Sequence, residues 1–226
     1  AGTCSQYRLG RPITNNSNRY PTQVPIKLDG MVCIAAGWQH NVIVYQDGTV
    51  FGWGSNSDGQ LGLSQRNNDN HPVQITSLAD QKVVWAACGD KITAFLTDNG
   101  EVYVSCKKSP EYKPYRLCIP VRCVYCACAT SRVYCIGDDG AIYKSQEDPT
   151  SLVEKYVLPS QAYDVAAGEN FAIAVTVDHV AYGLGKLGDS HFVPIPSLND
   201  INVYRVFAYN QHAAVVSAEG HVYTWG

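Results

Sequence analysis

The stretch G-W-Q-H-N-V-I-V-Y-Q-D-G-T-V-F-G-W-G-S-N-S-D-G-Q-L-G, from Gly37 to Gly62, decides the fold. Val42, Ile43, Val44 and Tyr45 are continuously apolar and mostly β-branched. Such a run suits a strand buried on both faces and is too short for a helix. Asp47-Gly48 follows as a hairpin signal, and Gly at the second position reads as a type I′ turn because it accepts positive φ. Val50 and Phe51 then resume a second strand.

The same frame recurs along the chain, and a repeat overrides any local reading. A small or aromatic residue closes the first strand; a turn follows 11 residues later, and an aromatic 3 residues after that. The five frames are Gly37–Gly48–Phe51, Gly89–Gly100–Tyr103, Ala129–Gly140–Tyr143, Gly168–His179–Tyr182 and Tyr209–Gly220–Tyr223. Successive turns lie 52, 40, 39 and 41 residues apart, so the hairpins are constant and the connectors vary. Four turns carry Gly (Asp47-Gly48, Asn99-Gly100, Asp139-Gly140, Glu219-Gly220). Asp178-His179 is the exception, and a longer or distorted turn is expected there, since a side chain in the left-handed region is costly. The recurrent aromatic reads as a packing post between adjacent sheets. No segment has sustained helical periodicity.

The fold class is therefore all-β: a β-propeller of about five units, spanning 31–76, 83–121, 122–160, 161–202, and 203–226 together with 1–30, in one repeat domain 1–226. The N-terminal strand is expected to complete the last blade, because residues 2–28 match the second half of a unit while the chain stops at Trp225-Gly226, where a first half ends. Leu9-Gly10 matches Leu61-Gly62 at an offset of 52. The alternative is a segment of a seven-bladed propeller.

The string from Gly37 to Gly62, followed by His71-Pro72-Val73, resembles the repeat of the regulator-of-chromosome-condensation family. The last unit resembles it through Ala213, Gly220, Tyr223, Trp225 and Gly226. The middle units keep only the hairpin frame: Ser105-Cys106 and Ser145-Gln146 replace Trp-Gly, and Lys186-Leu187-Gly188 stands in the fourth. The resemblance implies a propeller whose face loops bind other proteins, and it brings two functions. One is a protein-interaction platform. The other is a guanine-nucleotide exchange factor for a Ran-like small GTPase.

Composition narrows this further. Lys plus Arg is 17 against 20 Asp plus Glu, a formal charge of −3, which argues against nucleic acid as a direct partner. No apolar run is long enough to span a membrane as a helix. Nine cysteines, an odd number without regular pairing, suit a reducing compartment, cytoplasm or nucleus. Cys123, Cys126, Cys128 and Cys135 have a metal-like spacing, but strand alternation sends Cys123 to the opposite face, so buried thiols are expected and no metal. His40 and His212 share one phase and read as structural, bonding across their own strand-to-strand loop. Asn15-Asn16-Ser17 is a glycosylation sequon. No catalytic motif stands out: no enzyme, no catalytic residue and no cofactor are expected, and a monomer is.

The candidate partner-binding residues are those of the two-residue loops between the first and second strands. They are Trp38 and Gln39, Asp90 and Lys91, Thr130 and Ser131, Glu169 and Asn170, and Asn210 and Gln211. Strands of fixed phase flank every loop, so all five are expected on one face. Their residues differ in each unit, so the fold does not demand them. Trp38 is the expected anchor, because a rigid aromatic buries a large area at small entropic cost.

Overall fold

In a computed structural model, residues 2–3, 8–10, 17–18, 23–27, 29–65, 68–146, 151–185 and 190–226 are described. The sequon's asparagines, Cys4 and the Lys186-Leu187-Gly188 stretch lie outside them. The chain forms two compact units, 1–117 and 118–226.

The first unit opens with a two-residue pairing of β1 (Gly2–Thr3) and β2 (Ser17–Asn18). Its first blade is β3 (Met31–Ala36), β4 (His40–Tyr45), β5 (Val50–Gly54) and β6 (Asp69–Gln74). The second is β7 (Val83–Cys88), β8 (Ile92–Thr97), β9 (Val102–Cys106) and β10 (Tyr115–Arg116). In the second unit the third blade is β11 (Cys123–Cys128), β12 (Val133–Gly137), β13 (Ile142–Lys144) and β14 (Glu154–Tyr156). The fourth is β15 (Ala162–Ala167), β16 (Phe171–Thr176), β17 (Ala181–Gly185) and β18 (Val193–Pro194). The last is β19 (Val203–Tyr209), β20 (His212–Ser217) and β21 (Val222–Trp225). Every blade is an antiparallel meander, four-stranded except the last, which has three strands among the described residues. These are β-propeller blades, as the repeat implied. Most of the segment expected to complete the last blade falls outside the described residues.

Each second strand is sandwiched between neighbours, which is why it reads as continuously apolar: Val42, Ile43 and Val44 are fully buried, as are Ile173, Ala174 and Val175. Blades stack through these strands. Val83, Ala86 and Phe95 of the second blade join Cys33, Val42 and Val44 of the first in one core. In the second unit, Val165 and Tyr182 of the fourth blade join Tyr134 and Ile136 of the third. Val206 and Val215 of the last join Ile173 and Val175 of the fourth. The repeated aromatics do span adjacent blades: Tyr103, Tyr182 and Tyr223 each pack on the core shared with the blade before.

Residues 8–10 lie where the offset of 52 puts them. The Arg8 carbonyl accepts from Asn41 Nδ2 (2.9 Å) and Trp53 Nε1 (3.1 Å) of the first blade. Fifty-two residues on, the Gln60 carbonyl accepts from Thr93 Oγ1 of the second blade (2.6 Å).

Two expectations about turns are corrected. The hairpins are not type I′, since only the residue at the Gly48 position has positive φ and Asp47 does not. Gly48 N–H donates to Tyr45 O while Tyr45 N–H donates to Thr49 O, both at 2.9 Å. That is a type I turn closed by a left-handed residue in a bulge, a three-residue loop. Asp47, Asn99 and Asp139 each accept the backbone N–H two residues on, which explains why Asp or Asn precedes the glycine. The second correction is that the fourth turn is regular. His179 N–H donates to Thr176 O (2.8 Å) and Thr176 N–H to Val180 O (3.1 Å), the same pattern with His179 at φ 65°. Its ring bonds the Val203 carbonyl (3.2 Å) and meets Tyr163 edge-on, which offsets the left-handed cost.

A third correction concerns the cysteines. Every first strand carries a β-bulge near its start, and in the third blade it lies between Cys123 and Tyr125. A bulge resets the alternation. Cys123 therefore turns inward, and its thiol hydrogen-bonds Cys135, which stands directly opposite Cys126. This hydrogen bond, together with burial, drives the Cys135 thiol pKa well up. Among the described residues, no three His, Cys, Asp or Glu side chains are arranged to hold a metal ion.

Candidate functional site

The strand-to-strand loops share one length and one closing pair, and the last differs in having Asn210 at φ 48°. Gly37 N–H donates to His40 O, Gly89 to Ile92, Ala129 to Arg132 and Gly168 to Phe171, all at 2.8 or 2.9 Å, and Tyr209 pairs with His212. Each bond closes a two-residue loop holding the expected pair. Trp38 is 50% exposed, so it is not part of the core. Lys91, Ser131, Glu169, Asn170, Asn210 and Gln211 are exposed, and Gln39, Asp90 and Thr130 are half-buried.

Two pairs of neighbouring loops touch. In the first unit, Trp38 N–H donates to the Gly89 carbonyl (3.3 Å), and a Cβ on Gly37 would come within 2.3 Å of that oxygen. In the second, Glu169 N–H donates to Asn210 O (2.6 Å), Gln211 Nε2 reaches Glu169 Oε2 (3.4 Å), and a Cβ on Gly168 would meet Asn210 O at 2.6 Å. Glycine before the loop lets adjacent blades close up, so Asp90 and Lys91 sit beside Trp38 and Gln39, and Asn210 and Gln211 beside Glu169 and Asn170. The long connector after β5 starts on the same side in the first unit, since Ser55 N–H donates to Gln39 O (2.7 Å).

His40 supports this surface from below. It is 1% exposed, and its Nε2 lies 2.8 Å from Thr93 Oγ1. Because that hydroxyl donates to Gln60 O, it must accept from His40, so Nε2 carries the proton and the relay runs His40 to Thr93 to Gln60. The partner is thus in the next blade and not across the histidine's own loop. Burial lowers the His40 pKa from 6.5 to about 4. His212, at the same phase, is exposed and stacks edge-on with Tyr209.

The second unit also holds a cleft of about 600 Å3 between its third and fourth blades, with Ser131, Glu169 and Asn170 at the loop end. Arg132, Tyr134, Lys144, Glu154 and Tyr156 form its third-blade wall. The sequence reading did not single these out, although Ser145-Gln146 in place of Trp-Gly was their signal. Glu154 accepts from Tyr156 OH (2.5 Å), Lys144 Nζ (2.9 Å) and the Gln146 amide. These bonds, from Tyr156 and then Lys144, hold its carboxyl down to about 2. Burial, and then Glu154, raise the Tyr156 pKa.

Comparison with known proteins follows the same outline. The model described as "Regulator of chromosome condensation (RCC1) repeat" matches residues 47–96, and a second of the same description matches 31–60. The RCC1 domain-containing protein RUG3, mitochondrial, of Arabidopsis thaliana is 38% identical over 105 residues, 46% of this chain and 23% of that protein. The chain spans less than a quarter of that relative. The crystal structure of human WBSCR16 is similar over the whole chain and 70% of its own, with a TM-score of 0.77 at 20% identity. That of Prp20p from Saccharomyces cerevisiae, solved with its binding properties to Gsp1p and histones, is similar over 100% and 79%, with a TM-score of 0.58 at 18% identity. At such identities the two structures show the fold.

Proposed function

Because its repeats place the chain in the regulator of chromosome condensation (RCC1) repeat family, we propose that it is a protein-interaction platform that binds a protein partner through the loops between the first and second strands of its blades. The observation that carries this reading is the contrast between loops of one length and closure and their unlike side chains. Rigid scaffolds with variable loops are how binding surfaces are built. The platform acts without catalysis, metal or cofactor, as a monomer in cytoplasm or nucleus, and takes neither nucleic acid nor membrane as partner. Among the described residues no helix is long and apolar enough to cross a membrane.

Trp38 is the anchor of this surface in the first unit: half-exposed, on a two-residue loop whose backbone is pinned to Gly89. Trp38→Ala weakens a partner identified by affinity capture by more than about 1 kcal/mol, the hot-spot threshold, with the melting temperature nearly unchanged. A lowered melting temperature with full affinity would assign Trp38 to the core instead.

A second reading, guanine-nucleotide exchange on a Ran-like small GTPase, is favoured by the likeness to Prp20p, studied for its binding to Gsp1p. Exchange needs only binding that stabilises the nucleotide-free GTPase, so the same loops could serve it. Nucleotide release across a panel of small GTPases separates the two: acceleration of one member establishes exchange, and no acceleration leaves the platform.

A further inference from the structure

The space that is filled in the first unit has no sequence counterpart of its filler in the third. In the first blade, Gly52 leaves room for Leu61: a Cβ there would meet Leu61 Cδ2 at 2.9 Å and Ile75 Cδ1 at 3.3 Å. Asn56, Gln60 and Leu61 fill the space, none more than 1% exposed. The third unit has neither Trp-Gly nor the Gly-Gln-Leu-Gly turn. At the repeat positions of Gly52, Ile75 and Val42 stand Lys144, Tyr156 and Tyr134. A simple loss of the filler would leave an apolar void or be filled by larger apolar side chains. This space is walled by an ammonium, a guanidinium and two phenols.

Its groups are unequally used. Glu154 is satisfied by Lys144, Gln146 and Tyr156. At the mouth, Glu169 meets Gln211, and Lys155 is held by Asp139 at 2.8 Å. Tyr134 differs. Its side chain lines the cleft, and its hydroxyl hydrogen-bonds no described residue. Burial pushes its pKa up to about 12, so the phenol stays a donor. A phenol that lines the cleft and donates to no described residue is a donor left for whatever enters.

We propose that this cleft receives a carboxylate side chain of a protein partner, with the Tyr134 hydroxyl donating to it and Arg132 and Lys144 supplying positive charge. The deep wall offers donors, while its one carboxylate is already engaged, so the complementary group is an anionic acceptor. A macromolecular source follows from the mouth: Ser131, Glu169 and Asn170 belong to the loops of the proposed platform, so whatever docks there can send a side chain inward. The inference rests on the platform reading and names the chemistry of its partner.

The test uses the whole chain and the probe acetyl-Glu-Glu-Glu-Glu-amide, titrated by calorimetry against its glutamine counterpart and against glutarate. The glutamate peptide is expected to bind at least ten-fold tighter than the glutamine peptide and tighter than glutarate. Tyr134→Phe, which removes one oxygen, is expected to weaken it at least five-fold without lowering the melting temperature. Arg132→Gln weakens it as well. Equal binding of the two peptides, or undiminished binding by Tyr134→Phe, overturns the proposal. A fall in melting temperature in Tyr134→Phe also overturns it, by showing that the hydroxyl has a structural partner. Glutarate binding as tightly as the peptide rejects a protein source. The titration needs no natural partner, so its failure is separate from failure of the Trp38 experiment.

Discussion

His40 shows how one side chain can be read correctly in kind and wrongly in partner. Its phase marks it as structural, and it is; but the bond goes to Thr93, 53 residues away in the next blade. Gly37 belongs to the same constellation, because its missing Cβ lets the ring and the Gly89 carbonyl approach. The buried neutral imidazole gives a pH prediction. Its folded pKa, about 4, lies below the unfolded 6.5, so the unfolded chain binds a proton first as the pH falls. The stability it contributes is fully present above about pH 6.5, declines from there to about pH 4, and is lost below. The size is about 3 kcal/mol, from 1.36 kcal/mol per pKa unit. Urea unfolding of wild type and His40→Gln across this range should show the wild-type excess slope vanish in the variant. Parallel curves would mean that His40 is not held neutral.

At the scale of the element, the hairpin is what the repeat conserves in form. Gly48 and Gly220 occupy equivalent turns with φ of 89° and 84°, yet their surroundings differ. A Cβ on Gly48 would meet Lys82 Cα at 2.9 Å and Val83 N at 3.2 Å, whereas one on Gly220 meets nothing within 4 Å among the described residues. Both alanine variants bear the left-handed cost of about 1–2 kcal/mol, and only Gly48→Ala must also displace backbone of the next blade. Gly48→Ala should therefore be the more destabilising by about 1 kcal/mol or more, read as the difference in urea midpoints. Equal midpoints would mean that the turn does not press on its neighbour. Turn type was misread for a physical reason: Asp-Gly suits both the two-residue type I′ loop and the three-residue bulged loop, and the ladder register chooses between them. The cysteine faces were misread similarly, because alternation holds only until a bulge, and no residue in Cys123–Cys128 announces one.

For the whole molecule, charge and repetition set the boundaries of function. A chain with 17 basic and 20 acidic side chains has no cationic surplus to release counterions from DNA. Fluorescence anisotropy with a generic labelled duplex at low salt should give no saturable binding; a salt-dependent isotherm would show a basic surface that the overall charge conceals. The all-β class, the five repeat units and the position of each loop were legible in sequence, because period, turn chemistry and apolar runs are local and recur five times. So was the identity of every loop pair, since their fixed spacing follows from the strands. What tertiary structure decided is whatever depends on the neighbouring blade. It set the partner of His40, the inward turn of Cys123 and the exposure of Trp38. It also opened a polar cleft where Lys144, Tyr156 and Tyr134 replace Gly52, Ile75 and Val42. Residues on different blades approach through stacking, and the spacing along one strand carries no record of which atoms lie across that gap.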